Sequence, residues 1–381
     1  MTGPTAFVRL PRDPRLDLFR GLANWAIFLD HVPHEVLSWA TLKHYGFSDA
    51  ADTFVFIAGY TAAAAFGRLV LEEGYGAAFA RALKRAFRIY SAHILTLLLF
   101  VSLVALVAHG LNDIDDLHQY NVDVFTDAPV TGAFQMLIMQ YKPVNLDVLP
   151  LYVLLIGAFA PGIFLLGRCP NLTLALSFLI YCAARHWHLN VPAYPRGEWY
   201  FNPLTWQFLF VIGAWSAIVG RRTLGAVIGS NRVLIVALAY LAFALLLSLP
   251  VTRDYLPSAL TAWFAPNDKT NLAPYRIVHL LALALLAIRM IPAGASPLGW
   301  RIAEPAILCG KHSLPVFCTG VLVAFLAHVT IELGGNVIAA QLLAGSGGLG
   351  AMCVVAYWSA GRLQIPTIRF QGASFDDNRR R

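Results

Sequence analysis

The stretch RDPRLDLFRGLANWAIFLDH, residues 12–31, sets Asp17, Arg20, Asn24, Asp30 and His31 into an otherwise apolar run. On a helix, Asp17, Asn24 and His31 recur every seven positions, and Arg20 stands about three turns before His31, so all four share one face. An imidazole beside a carboxylate is equipped to move a proton, because histidine titrates near working pH. Inside a membrane span such a group must face a wet cavity or a partner, which makes it a candidate site. The competing structural reading has Arg20 snorkelling to the interface and His31 packed between helices.

Other candidates gather at the mouths of later apolar runs. Asp49 and Asp52, three positions apart in GFSDAADTFVFIAGY, share a face, either as an acidic helix cap or as site carboxylates. Asn145 and Asp147 open another run, and Asp147 can line a cavity there. Arg276 and His279 lie on one face where the chain re-enters, and a cation at that place either snorkels or binds a carboxylate. Lys311, His312 and Ser313 stand at the head of a further run. The segment HWHLNVPAYPRGEWYFNPLTWQ, from His186 to Gln207 and including Trp187, His188, Tyr194, Trp199, Tyr200 and Trp206, is either an interfacial aromatic belt or a surface for stacking sugar rings. A basic amphipathic loop, RALKRAFRIY, offers Arg81, Lys84, Arg85 and Arg88 to lipid headgroups or to the phosphates of coenzyme A. His186 and His188 have no third ligand nearby, and no Walker loop, G-x-S-x-G elbow or H-E-x-x-H is present, so no metal site is expected.

The elements that must position these groups are membrane helices. Of the 381 residues 58% are hydrophobic and 13% charged, and the mean hydropathy is +0.63, too apolar for a soluble protein. The hydropathy predicts an all-α integral membrane protein of about ten transmembrane helices around a polar central cavity: 20–39, 50–71, 90–109, 147–167, 171–187, 203–220, 232–249, 275–292, 313–332 and 340–361. Residues 1–19 form an N-terminal segment, 20–362 the membrane domain, and 363–381, ending in DDNRRR, a polar tail expected to be disordered. Ten spans put both termini on one side. That side carries 21 of the 28 Lys and Arg residues, so both termini are predicted to be cytoplasmic. The outer side carries Lys43, Lys142, Arg185, Arg196, Arg253, Lys269 and Arg276.

The formal charge of +7 is dispersed over short loops and forms no nucleic-acid patch. The outer connection 110–146, with Asp113, Asp115, Asp116, Asp123 and Asp127, reads as a solvated loop without the order of a calcium site. Its apolar run Phe134–Met139 is expected at the interface or re-entrant. The five cysteines have no CxxC spacing and suggest packing. Because Arg20, Asp30 and His31 interrupt the first run, it reads as an uncleaved span and not a signal peptide.

The blocks RDPRLDLFRGLA…DH, FSDAADTFVFIAGY, RAFRIYSAH, NLDVLPLYVLL, FNPLTWQFLFVIG, PYRIVHLLALA and GKHSLPVF, taken in order over residues 9–362, resemble the OpgC (MdoC) family of osmoregulated periplasmic glucan succinyltransferases. More widely, Arg20-Gly21…His31 resembles the first-span pattern of acyltransferase-3-type membrane enzymes. The resemblance implies succinyl transfer from cytoplasmic succinyl-coenzyme A to a hydroxyl of a periplasmic glucan, in the bacterial inner membrane. Membrane lipids, the acyl-coenzyme A co-substrate and the glucan are the implied partners, with no nucleic acid; oligomeric state is left open. His31 becomes the base, with Asp30 and Asp52 as catalytic carboxylates; Asp52 stands where family members can carry Glu. Arg20, Asp17, Asn24, Asp147, Trp206, Gln207, Arg276, His279 and Ser313 are expected around the substrates, Arg276 matching the succinyl carboxylate, and Arg81, Lys84, Arg85 and Arg88 on coenzyme A. Eleven residues past Arg20, His31 is expected roughly 16 Å along the helix, near the middle of a ~30 Å hydrocarbon core. The rivals are acetyl or other short-acyl transfer to a different envelope glycan, a proton-coupled solute transporter, and a scaffold for glucan assembly.

Overall fold

The computed structural model describes residues 5–111, 119–220, 223–292, 294–295, 299 and 301–362. Asp113, Asp115 and Asp116 and the tail 363–381 lie outside the described residues. The described residues form helices joined by loops, with two isolated β-bridges and no strand. In chain order the main helices are α1 (Pro14–Asp30), α2 (Ala50–Glu73), α3 (Tyr75–Leu111), α4 (Pro129–Leu137), α5 (Val148–Arg168), α6 (Pro170–His186), α7 (Pro203–Trp215), α8 (Asn231–Ser248), α9 (Pro274–Met290), α10 (Glu304–Lys311), α11 (Ser313–Leu333) and α12 (Ile338–Ser359). A π turn, Ser216–Gly220, prolongs α7.

Seven described helices are long and apolar enough to cross a membrane: α2, α3, α5, α7 with its π turn, α8, α11 and α12. Helices α1, α6 and α9 have 17 residues each and coincide with the other three expected spans. The all-α membrane architecture therefore stands.

Two boundaries differ from the hydropathy reading. Helix α1 begins at Pro14, because Asp13 caps it, accepting from the Arg15 N–H at 3.0 Å, and proline suits the first helical turn. It stops at Asp30, since Pro33 disfavours helical backbone for the residue before it, and two 3-10 turns, Val36–Ala40 and Leu42–His44, take up the apolar residues that had lengthened the expected span to 39. His31 is thus the C-cap of the helix, not a residue at its middle. Second, RALKRAFRIY is no loop: it belongs to α3, which at 37 residues is about 55 Å long and outreaches the hydrocarbon. Ala78, Ala82, Ala86, Ile89 and His93 make its buried stripe, and Arg81, Lys84, Arg85 and Arg88 its exposed side. The apolar run near 134 sits mostly in α4, whose exposed Val130, Phe134 and Leu137 suit an interface.

Paired glycines let two helix crossings close to backbone contact. At α1–α10, a Cβ on Gly21 would strike the Ala306 carbonyl, and one on Gly310 the Asp17 carbonyl. At α2–α7, Gly59 lies on the Phe210 carbonyl and Gly213 on that of Phe56. Small residues of this kind are how apolar helices gain dispersion contact where lipid offers no hydrophobic gain. Around these crossings, α3 packs on α5, α11 on α12, and α8 on α9.

Candidate active site

The C-terminal end of α1 and the N-terminal ends of α2, α5, α7 and α9 meet at one face of the bundle. Their chemistry converges there on two adjoining places, a cavity and a buried ion-pair network.

The cavity, about 520 Å³, is lined among others by Asp30, His31, His34, Glu35, Trp39, Lys43, Tyr120 and Asn145. That volume lies in the range of small-molecule sites. Asp30 is fixed by Thr41, whose hydroxyl donates to its Oδ1 at 2.6 Å, and Lys43 Nζ donates to the Asp30 carbonyl at 3.3 Å. His31 is partly exposed and makes no side-chain hydrogen bond among the described residues. On its other side runs a tight crevice lined by Asn24, Phe28, Phe317, Gly320, Val321 and Met352. Asn24 is buried in that crevice, and both its amide atoms lack a partner among the described residues. His31 therefore stands between an open cavity and a closed, mostly apolar crevice in which Asn24 is the other polar side chain.

The ion-pair network begins at the cap of α2. Asp49 accepts from the Ala51 N–H at 2.9 Å and Asp52 Oδ2 from the Asp49 N–H at 2.9 Å, a reciprocal capping box. Arg276 Nη2 donates to Asp52 Oδ2 at 2.6 Å and to Asp49 Oδ2 at 3.2 Å, and Lys269 Nζ reaches Asp49 Oδ2 at 2.7 Å. Burial would raise the Asp49 carboxyl, but Lys269 and Arg276 hold it below the ordinary carboxylate range. Burial would likewise lower the Lys269 ammonium, and Asp49 reverses that and raises it. Lys269 also lies within electrostatic reach of Asp30, His31, Asp52 and Asp147.

Several expected site residues serve as the frame. Trp206 is fully buried, and its Nε1 donates to the carbonyls of Lys269 and Thr270 at 3.1 and 3.2 Å. Asn202, Tyr181 and Arg185 tie down the same loop through Thr270, Leu272 and Asn271. His279 Nδ1 accepts from the Ser48 N–H at 3.3 Å and lies 2.7 Å from Ser48 Oγ, and its ring occupies the space that only a glycine at position 46 leaves free. Phe47 stacks on Phe264 at 5.1 Å. Gln207 bonds Ser177 through both ends of its amide, joining α6 to α7.

The remaining expected residues lie elsewhere. Asp17 is buried and pairs with Arg12 at 2.9 Å. Arg20 Nη2 donates to Thr61 Oγ1 at 2.6 Å and lies within electrostatic reach of Tyr152 and Arg85; the Tyr152 hydroxyl is buried with no partner among the described residues. Ser313 starts α11, a turn before Phe317 of the crevice, while the far end of α11 brings His328 to Tyr120 of the cavity. Ser313 is therefore remote from the cavity. The aromatic segment is also not one surface: Trp206 and Trp199 are buried, with the Lys142 ammonium 3.9 Å from the centre of the Trp199 ring. No group of three metal-ligating side chains occurs among the described residues.

Sequence reasoning missed Lys43, Lys269, Trp39 and Thr41 as site groups. The usable signal for the two lysines was topological. A cation on the outer face runs against the charge bias of membrane proteins, and both lysines fall on the side that the hydropathy reading assigns as outer.

No curated protein and no solved structure matches the chain. A family profile described as OpgC protein matches residues 12–363, nearly its whole length. With that match over the helices that carry the cavity and the ion-pair network, the chain belongs to the OpgC family.

Proposed function

We propose that this chain is an O-acyltransferase of the bacterial inner membrane, moving a succinyl group from cytoplasmic succinyl-coenzyme A to a hydroxyl of a periplasmic glucan. Family membership supports an acyltransferase-type enzyme of glucan modification. The observation that carries the reading is the position of His31, at the C-terminal end of α1 and in the wall of an open cavity of small-molecule size.

In this reading the thioester reaches His31 from the cytoplasmic side and the acceptor hydroxyl reaches it through the cavity. His31 takes the hydroxyl proton as the oxygen attacks the thioester carbon; the new C–O bond forms, the C–S bond breaks, and His31 passes that proton to the leaving thiolate, so that coenzyme A departs as the thiol and the imidazole is neutral again. The imidazole makes no side-chain hydrogen bond among the described residues, which leaves a ring nitrogen able to accept a substrate proton. Lys269, anchored by Asp49, and Lys43 set the field around it. Positive charge near the reacting carbonyl favours the oxyanion that develops there. Arg81, Lys84, Arg85 and Arg88, on the exposed side of α3, attract the coenzyme A phosphates.

Succinyl differs from acetyl by a distal carboxylate, which needs a cation in the cavity. Arg276, the sequence candidate, is committed to Asp49 and Asp52 and does not line the cavity. Lys43 is the Lys or Arg residue that does line it, and it has no carboxylate within ion-pair distance among the described residues. In the proposed enzyme Lys43 receives the succinyl carboxylate. The test uses purified full-length protein in lipid nanodiscs with succinyl- or acetyl-coenzyme A and a glucan oligosaccharide, read by mass spectrometry. Succinyl ester on the glucan, absent with His31→Ala, supports the reading; acyl transfer that never reaches the glucan overturns the acceptor assignment.

A further inference from the structure

Of the two large aromatic side chains that line the cavity, Tyr120 is buried and Trp39 is exposed, and the acyl-transfer chemistry does not use Trp39. Trp39 stands in the 3-10 turn that follows α1, with 48% of its surface exposed. Its ring stacks on His44, centroids 4.3 Å apart and planes 16° from parallel. Two bonds hold the pair: the Tyr45 hydroxyl donates to the Trp39 carbonyl at 2.5 Å, and Ser38 Oγ lies 3.4 Å from His44 Nε2. An indole anchored only in lipid would not need an imidazole backing or a place in a polar cavity. Here one face is covered by His44, and the exposed part of the ring belongs to the cavity that contains His31.

A glucose ring presents axial C–H groups on its flat faces and hydroxyls around its edge. The site that recognises it offers an aromatic plane with polar groups at the rim. Trp39 is the plane, and Ser38, Lys43, Asn145 and Gln341 are the rim. The aromatic segment 186–207 cannot do this beside His31, since Trp199 and Trp206 are buried and absent from the cavity. We infer that the Trp39–His44 stack is the acceptor platform, on which a glucose unit of the glucan lies while one of its hydroxyls faces His31. The inference rests on the glucan reading above and assigns the subsite within it.

The test is direct binding. A soluble β-linked glucan oligosaccharide is titrated by calorimetry into the full-length protein in detergent, with no acyl donor present, for wild type, Trp39→Ala, Trp39→Phe and Trp263→Ala. Trp263, 84% exposed in the outer loop before α9, controls for loss of any surface indole. Stacking of this kind predicts that Trp39→Ala weakens binding at least about fivefold, that Trp39→Phe recovers most of it, and that Trp263→Ala binds as wild type. In transfer assays the Trp39→Ala loss appears in the KM for acceptor more than in kcat. If wild type binds the oligosaccharide and Trp39→Ala binds it equally, the platform is wrong and the functional reading stands. If wild type binds no glucan and acylates another acceptor, the functional reading fails and the platform with it.

Discussion

Three cations stand at the cavity and the ion-pair network beside it, and their partners assign them different work. Arg276 and Lys269 are bound to buried carboxylates, while Lys43 extends into the cavity. Removing one member of a buried pair strands the other, which typically costs about 3–5 kcal/mol. Arg276→Gln is therefore expected to lower the thermal midpoint and to reduce transfer from succinyl- and acetyl-coenzyme A alike. Lys43→Met is expected to leave the midpoint near wild type and to reduce succinyl transfer selectively, with Lys43→Arg retaining it. Comparing kcat/KM for the two donors in each variant checks both statements, and a succinyl-selective loss in Arg276→Gln would return that role to Arg276. At this scale the sequence was informative where spacing sufficed. Asp49 and Asp52 were readable as a face and a cap, and they are both. Their pairing with Arg276, more than two hundred residues away, has no local trace. The polarity of 20–31 marked His31, but not the neighbours that bend back over it from the 3-10 turns.

Helices hold these groups by close crossings and pinned loops. Gly21 and Gly310 let α1 meet α10 backbone to backbone, so Gly21→Leu is expected to force the helices apart, lower the melting temperature and reduce transfer, although residue 21 touches no substrate. A melt of that variant at or above the wild-type temperature would contradict the crossing. Lys142, in the loop before α5, is pushed by burial down to about 8, with Asp147 opposing. Its folded value then lies below that of the unfolded chain, roughly 10.4, so between these values the unfolded state holds more protons and stability rises with pH. Wild type should accordingly gain thermal stability relative to Lys142→Met as pH rises from 8 to 10, and parallel profiles would count against a buried ammonium. Hydropathy located the helices but misjudged their ends. It does not register that Pro33 ends α1 early, or that a basic amphipathic segment continues α3 beyond the lipid.

For the whole molecule, the proposed direction of transfer requires the His31 cavity on the periplasmic side and the basic end of α3 on the cytoplasmic side. In a background freed of native cysteines, Lys43→Cys should react with an impermeant maleimide added outside intact spheroplasts. Arg85→Cys should react only after the membrane is opened. The reverse pattern would invert the topology and the direction of transfer. The charge bias that predicts this orientation was legible in the sequence, as was the family pattern across nearly the full chain. The cavity was not, because it forms only where the end of one helix and the segment after it meet the connections that precede others.

The most direct test of the central claim is mass spectrometry of periplasmic glucans from cells lacking their own copy of such an enzyme and producing either wild-type protein or His31→Ala at matched folded levels. A succinyl mass increment with wild type, lost with His31→Ala, is the predicted result. Unmodified glucans in cells with well-folded wild-type protein, or equal succinylation with His31→Ala, would contradict it.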